Sequence, residues 1–396
     1  MLGIDLGTSY SSAGAMIDGR LELVRDDGDA MIPTVVHLPA RGTPSVGHRA
    51  VAYAANDPAA TVTSVKRLLG LSDPALLASN LPYPVRSVNG RAVLQAGGRD
   101  YAVEQVAAMV LSRLRELAER RFGGQISRAV FAIPAGSTEA YVAALRRAAR
   151  LAHLEIVQVV AEPIAGVLAL GLHHESVRRK ILVADFGGGT FDVTAVQQDH
   201  ARFAPVATRG DALLGGDDLD IATANAIAGL VYKQAQFDML AEYTRRATLL
   251  QRCEAAKRAL STARIARLVI REGYIERGAY RDLDFAVSRE LVEPLWQPLV
   301  DRAIGCVRAT LAAARWTPDE LDRVILIGGG AMVPLFQRAM AGALPADRIT
   351  TTPLAGVAVA MGATVLAGTV APPVPSAVLR GLEAATDDNS IHIEFD

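Results

Sequence analysis

The sequence predicts an α/β fold made of two like halves with a ligand cleft between them, and three observations predict it. Two apolar runs end in an aspartate, then glycine, then a hydroxyl residue. The first is Gly3-Ile4-Asp5-Leu6-Gly7-Thr8-Ser9; the second, roughly half the chain later, is Ile181-Leu182-Val183-Ala184-Asp185-Phe186-Gly187-Gly188-Gly189-Thr190-Phe191-Asp192. Strand-like and helix-like segments alternate around both, the pattern of sheets layered with helices.

At each turn the glycines allow backbone N–H groups to approach an anion closely. An aspartate at the strand end would repel phosphate unless a hard cation such as Mg2+ sat between them. Two such loops gripping one ligand from opposite sides point to a nucleotide-binding protein and, with the cation, to an ATPase.

The elements follow in order. Residues 1–40 read as strands and turns, with 21–24 after Asp18-Gly19 and 34–38 after Pro33. Residues 50–72 read as helical or irregular. Apolar residues at helical spacing (Val106, Val110, Leu114, Leu117) make 103–122 a helix stopped by Gly123-Gly124. A strand at 129–133 meets Pro134, a helix covers 138–152, and a strand 156–160 leads into a helix from Glu162-Pro163 to Leu170, ended by Gly171. The polar segment 173–180 separates the halves. The second half has strands over 181–196, a turn at 214–218, a helical stretch 219–230, helices within 240–262, strand-like segments at 266–289, a helix 290–314 and a strand 324–327 running into Gly328-Gly329-Gly330.

With 396 residues, 51% of them apolar, the chain can bury more than one full core. A net charge of −1 gives no electrostatic reason to expect nucleic acid or an anionic membrane as partner. Cys253 and Cys306 are too few for a disulfide framework or a zinc site, and either suits a small buried position. No basic and apolar leader opens the chain, and the uncharged, Ala/Gly-rich stretch from Ile349 is broken by Pro353, Pro372, Pro373 and Pro375, so a buried helix is expected there rather than a membrane span. A cytoplasmic location is expected. The expected division is 1–172 and 173–370 for the two lobes and 371–396 for a Pro-rich, then acidic tail.

Six ordered elements resemble the ATPase domain of the Hsp70 chaperones, in the actin/sugar-kinase/Hsp70 superfamily. They are the two aspartate–glycine loops, Ala161-Glu162-Pro163 with Gly171-Leu172, the turn Leu214-Gly215-Gly216-Asp217-Asp218-Leu219-Asp220, the helix Cys253-Glu254-Ala255-Ala256-Lys257-Arg258-Ala259-Leu260-Ser261, and Ile327 to Gly330. The resemblance implies a duplicated actin-like ATPase fold, ATP or ADP with Mg2+ as ligands, and slow hydrolysis. It implies that Asp5 and Asp185 hold Mg2+ largely through its waters, and that Gly7, Thr8, Ser9, Gly187, Gly188, Gly189 and Thr190 bind phosphate. Lys66, within Val65-Lys66-Arg67-Leu68-Leu69-Gly70, would face the attacking water and γ-phosphate, with Glu162, Asp185 and Thr190 as its catalytic partners. Gly215, Gly216, Asp217, Glu254, Lys257, Arg258, Ser261, Gly328, Gly329, Gly330 and Met332 would also bind the nucleotide, with Glu254, Lys257 and Ser261 at ribose and adenine and Arg258 stacked on the base. Plainer readings stand beside these: Lys66 as a surface lysine, Glu162 as ordinary helix-start chemistry, and Glu254, Lys257 and Ser261 as a solvated helix face.

The chain departs from the family in places. Met332 stands where the family places an arginine against adenine, and Pro353-Leu354-Ala355-Gly356 replaces an acidic ribose-side motif. Gln158, Ala161 and Ile164 stand where J-domain cochaperones dock, and Val142 where an arginine is usual, so the usual J-domain coupling is not expected. Pro134 matches the family's switch proline and is equally a strand terminator. No leucine-rich linker or peptide-gripping β-sandwich is recognisable. The expected function is therefore a nucleotide-dependent protein-interaction module with slow ATPase activity. The alternatives are a nucleotide sensor or scaffold without significant hydrolysis, and an actin-like filament-forming ATPase.

Overall fold

The computed structural model describes residues 1–370 apart from 55, 72, 74–82 and 90; the expected tail, 371–396, lies outside the described residues. Its frame is one sheet pattern used twice. The first sheet runs Arg20–Leu23, Tyr10–Ile17, Leu2–Asp5, Arg128–Ile133, Glu155–Ala161; the second runs Arg202–Asp211, Phe191–Asp199, Arg178–Phe186, Arg323–Ile327, Ile349–Thr350. In each, the first three strands are antiparallel neighbours and the last two join in parallel. Leu2–Asp5 and Arg178–Phe186 thus hold equivalent central places, and their carboxyl ends are where ligands sit in such sheets.

The halves share an apolar middle. Val130, Val160, Ile164, Ile181, Ile325, Val359 and Leu366 bury together, so residues of both sheets pack around the helices Glu162–Ala169 and Ala358–Thr369. These helices approach backbone to backbone. A β-carbon on Gly362 would overlap the carbonyl of Ala165, and one on Gly3 would overlap the backbone of Thr364. Each half adds its own core, under Val103–Phe122 and Glu139–Leu151 in the first and around Trp296, Phe336 and Phe191 in the second.

Several expectations change. Residues 50–72, expected as helical or irregular, are largely irregular: among the described residues the region holds the end of the short helix His48–Val51, 3-10 turns Pro58–Ala60 and Val65–Leu68, and the strand Thr61–Val62. The third strand Arg202–Asp211 was not anticipated, because it is an edge strand with charged ends and Pro205 inside. The small sheet Val85–Val88, Arg91–Ala96, Arg99–Ala102 was also missed. Arg178, Arg179 and Lys180, read as part of a polar connection, begin the central strand of the second sheet. The uncharged C-terminal stretch forms a strand, Ile349–Thr350, and the 12-residue helix Ala358–Thr369. Among the described residues, no helix is long and apolar enough to cross a membrane.

Candidate functional site

Asp5 ends its strand opposite Ser12 and Ala132, and Asp185 nears the end of its own opposite Asp192 and Ile327. The two carboxylates face one cavity of 290 Å³ between the halves. Every residue nominated from the sequence lines it except Gly189 and Gly215, which stand just behind the wall.

The floor of the cavity is a carboxylate cluster around one lysine. Lys66 Nζ donates to Glu162 Oε1 at 2.7 Å and lies 3.9 Å from Asp5 Oδ1, with all three side chains largely buried. It is therefore no surface lysine. Burial pushes the Asp5 carboxyl up to about 7, against the pull of Lys66 and with Glu162 adding to the rise. Burial, then Glu162 and Asp5, hold Asp185 well above the carboxylate range, and burial and Glu162 lift Asp192 to about 6. Burial alone would lower the Lys66 amine, but Glu162, Tyr141 and Asp5 overcome it and hold it above its ordinary value. Four acids thus share one ammonium, a charge excess suited to a divalent cation. Among the described residues, no three His, Cys, Asp or Glu side chains converge to bind an ion directly. Carboxylates that do not converge on an ion directly fit one that keeps its own water shell, as Mg2+ does.

The two glycine turns meet across the cleft. Ser9 Oγ donates to the Asp217 carboxylate at 3.3 Å, and a β-carbon on Gly188 would stand 2.7 Å from Ser9 Cβ. The turn at 187–190 closes through Gly187 N–H to Thr190 O at 3.0 Å. The Gly215-Gly216 turn braces it from behind, Gly216 N–H donating to Gly187 O at 3.0 Å and Asp217 N–H to Gly188 O at 2.7 Å. The glycines are there because two loops and their support leave no room for side chains. Glycine turns of this kind can bind phosphate oxygens through the N–H groups their own bonds leave over.

The other wall comes from the helix Tyr243–Leu260, with Ser261 as its C-cap. The Glu254 carboxylate accepts from the Tyr10 hydroxyl of the first half. Arg258 donates to the same hydroxyl at 3.3 Å, with its guanidinium 5.5 Å above the Tyr10 ring, and lies 3.6 Å from Asp29. Lys257 is bound to the protein itself, donating to Asp220 Oδ2 at 2.6 Å and Gly216 O at 2.7 Å. Glu254 and Lys257 are therefore not part of a solvated face. Opposite, Gly328 adopts φ +81°, and Gly328 and Gly330 sit against Phe186 so closely that side chains would collide with it. Met332 and Met31 complete this wall, Met31 Sδ lying where a β-carbon on Gly356 would be only 2.7 Å away.

Sequence reasoning missed Tyr10, Met31 and Val359 on the wall, and Pro353, Ala355 and Gly356 line it although the acidic ribose-side motif is replaced there. Tyr10 had a visible signal, an aromatic residue directly after the first phosphate loop; Met31 and Val359 had none. Lys66 and Lys257 lie in the cleft, while Lys180 pairs with Glu320 at 2.5 Å and stacks 5.3 Å over Trp316, and Lys233 stands exposed on the helix Gly216–Ala235. Cys253 is buried and Cys306 partly buried, both free.

A family model described as Hsp70 protein matches residues 1–384. The chain is 36% identical over 377 residues to a chaperone protein HscA homolog of Azotobacter vinelandii, covering 93% of this chain and 58% of that protein. It is 34% identical over 373 residues to the HscA homolog of Variovorax paradoxus, again over 93% and 58%, and 35% identical over 343 residues to that of Acidithiobacillus ferrooxidans, over 86% and 53%. The chain thus spans just over half the length of the relatives it matches. Its paired sheets are the duplicated actin-like ATPase fold, and the chain belongs to the Hsp70 family of chaperones.

Proposed function

We propose that this protein binds Mg-ATP between two lobes, residues 1–172 and 173–370, hydrolyses it slowly, and uses the change in the cleft to alter its grip on a protein partner. The observation that carries the reading is the convergence of Asp5, Asp185, Glu162 and Lys66 beside two facing glycine turns. Phosphoryl transfer asks mainly for positioning and charge neutralisation, and this set offers both. Bound Mg2+ would supply charge neutralisation at the phosphates, with Asp5 and Asp185 holding its water shell. Lys66 would place its ammonium beside the attacking water, with Glu162 fixing the amine. Thr190, whose hydroxyl bonds Asp192, would present a hydroxyl and its N–H to the terminal phosphate. Tyr10, Glu254 and Arg258, already joined across the cleft, would close the nucleoside end.

The partner is a protein of unassigned identity. Ile164 is buried and Gln158 and Ala161 are partly so, which supports a route other than the usual J-domain docking. Both cysteines being free suits a reducing, cytoplasmic setting.

Calorimetric titration of nucleotide-free protein with ATP and ADP in Mg2+, followed by phosphate release from the same sample, tests the reading. Binding with slow release supports it. Binding without release would make the protein a nucleotide sensor, and no binding would overturn the proposal. In Lys66→Ala, release should fall by about 100-fold or more while ADP binding survives; unchanged release would remove Lys66 from the chemistry.

A further inference from the structure

We propose that Arg67 is a positioning residue: its guanidinium, arising in the first half of the chain, clamps the glycine turn at 187–190 of the second half and aims that turn's backbone donors into the cleft. This rests on the nucleotide-site reading above. Arg67 follows Lys66 in the 3-10 turn Val65–Leu68, entered through Ser64 in the left-handed conformation at φ 56°. From there it reaches the carbonyl of Gly189, 122 residues away in sequence, and donates to it through Nη2.

Gly189 is the key to the assignment. Its neighbours Gly188 and Thr190 line the cavity, but Gly189 does not. Close approach of a ligand therefore does not explain its missing side chain; Arg67 does. A β-carbon at Gly189 would stand 2.7 Å from the guanidinium carbon, and one at Gly215 would stand 2.6 Å from Gly189 Cα. Guanidinium, Gly189 and Gly215 form three layers with no space for a side chain between them.

The clamp acts through peptide planarity. In a trans peptide the C=O and the following N–H point in opposite directions. With the Gly189 carbonyl fixed on Arg67, the N–H of Thr190 is turned away from the arginine, to the side where Thr190 faces the cavity. Arg67 thus holds one donor of the anion-binding turn in a fixed direction, and such preorganisation is what a developing phosphoryl charge rewards. Its Nε is buried without an acceptor, so the guanidinium keeps a further donor beside the turn.

The test compares the parent with Arg67→Gln, Arg67→Lys and Gly189→Ala, the last retaining the arginine while displacing it. Single-turnover phosphate release should fall about 10- to 100-fold in Arg67→Gln, the scale for losing a group that orients a direct contact. ADP affinity should change by about threefold or less. Arg67→Lys should recover only part of the rate, because an ammonium keeps the charge without the fork. Independently of nucleotide, hydrogen exchange at 187–190 should quicken about tenfold or more in Arg67→Gln and Gly189→Ala while the strand Leu2–Asp5 stays protected. Parent-like exchange and parent-like release in Arg67→Gln would overturn the proposal. Should the parent itself neither bind nor hydrolyse ATP, the functional reading falls, and the exchange comparison still decides whether the clamp exists. If Arg67→Gln does not fold, Gly189→Ala carries both readouts.

Discussion

Replacing Lys257 with methionine should destabilise the protein by about 3–5 kcal/mol at pH 8.5, the usual cost of stranding one member of a buried ion pair. The magnitude follows from how Asp220 is held. Asp220 is 5% exposed, its Oδ1 has no hydrogen-bond partner, and its Oδ2 receives Lys257 at 2.6 Å. Methionine keeps most of the lysine's apolar stem but leaves both carboxylate oxygens, and the Gly216 carbonyl, without that donor. The sign of the pH dependence is fixed by the carboxyl. Burial pushes Asp220 up to about 8 although Lys257 pulls it down. An acid raised in the folded state contributes its stability below its unfolded value, near 4, and loses it as pH rises through about 8. The penalty of Lys257→Met should therefore be larger at pH 8.5 than near pH 6, where the parent carboxyl keeps its proton, by up to about 1 kcal/mol at 1.36 kcal/mol per pH unit. Urea denaturation of nucleotide-free protein at both pH values measures this, and Asp220→Asn in the same background should recover most of the loss. A penalty under 1 kcal/mol at pH 8.5, or no recovery in the double variant, would refute the pairing argument and return Lys257 to the nucleotide alone.

Asp5→Asn, which mimics the protonated acid, should equal the parent in stability near pH 4 and exceed it above pH 7 when Mg2+ and nucleotide are absent. Asp5 rises from 3.8 to about 7, so the gain is at most about 4 kcal/mol at 1.36 kcal/mol per pH unit; denaturation midpoints across pH 4–8 check it, and a parent curve parallel to the variant's would contradict it. Tyr10→Phe removes a donor that joins the halves through Glu254, and the expected result is an ADP dissociation rate raised about tenfold, near 1.4 kcal/mol, in stopped-flow displacement; an unchanged rate would place that bond outside nucleotide retention. Gly362→Val drives a side chain into the Ala165 backbone and should cost about 4 kcal/mol or more, seen as loss of the cooperative thermal transition; a parent-like transition would show that the two helices can part cheaply.

The site was legible where chemistry is written in consecutive residues. Asp5 with Gly7 and Thr8, Asp185 with Gly187 to Thr190, and Gly328 to Gly330 each combine an apolar run with a forced turn, and all three turns meet at the cleft. Partnerships made by folding were not legible. Nothing local says that Lys257 pairs with Asp220, 37 residues earlier, or that Arg67 finds Gly189. Gly189 and Gly215 were nominated for the nucleotide, yet the structure spends their missing side chains on packing loop against loop. The fold was legible in its buried central strands and less so at its edges. Arg202–Asp211 alternates only partly between buried and exposed and carries a proline, and the small sheet from Val85 to Ala102 is short and polar, so neither stands out from loop sequence.

The scarcity of lysine has a practical side. An amine-acylating reagent would find Lys233 open and Lys180 engaged with Glu320 and Trp316, while Lys66 and Lys257 are enclosed in the cleft. Footprinting by mass spectrometry would then have almost no surface background. Labelling at two positions would record how often the cleft opens, and a third, Lys233, would serve as the internal clock.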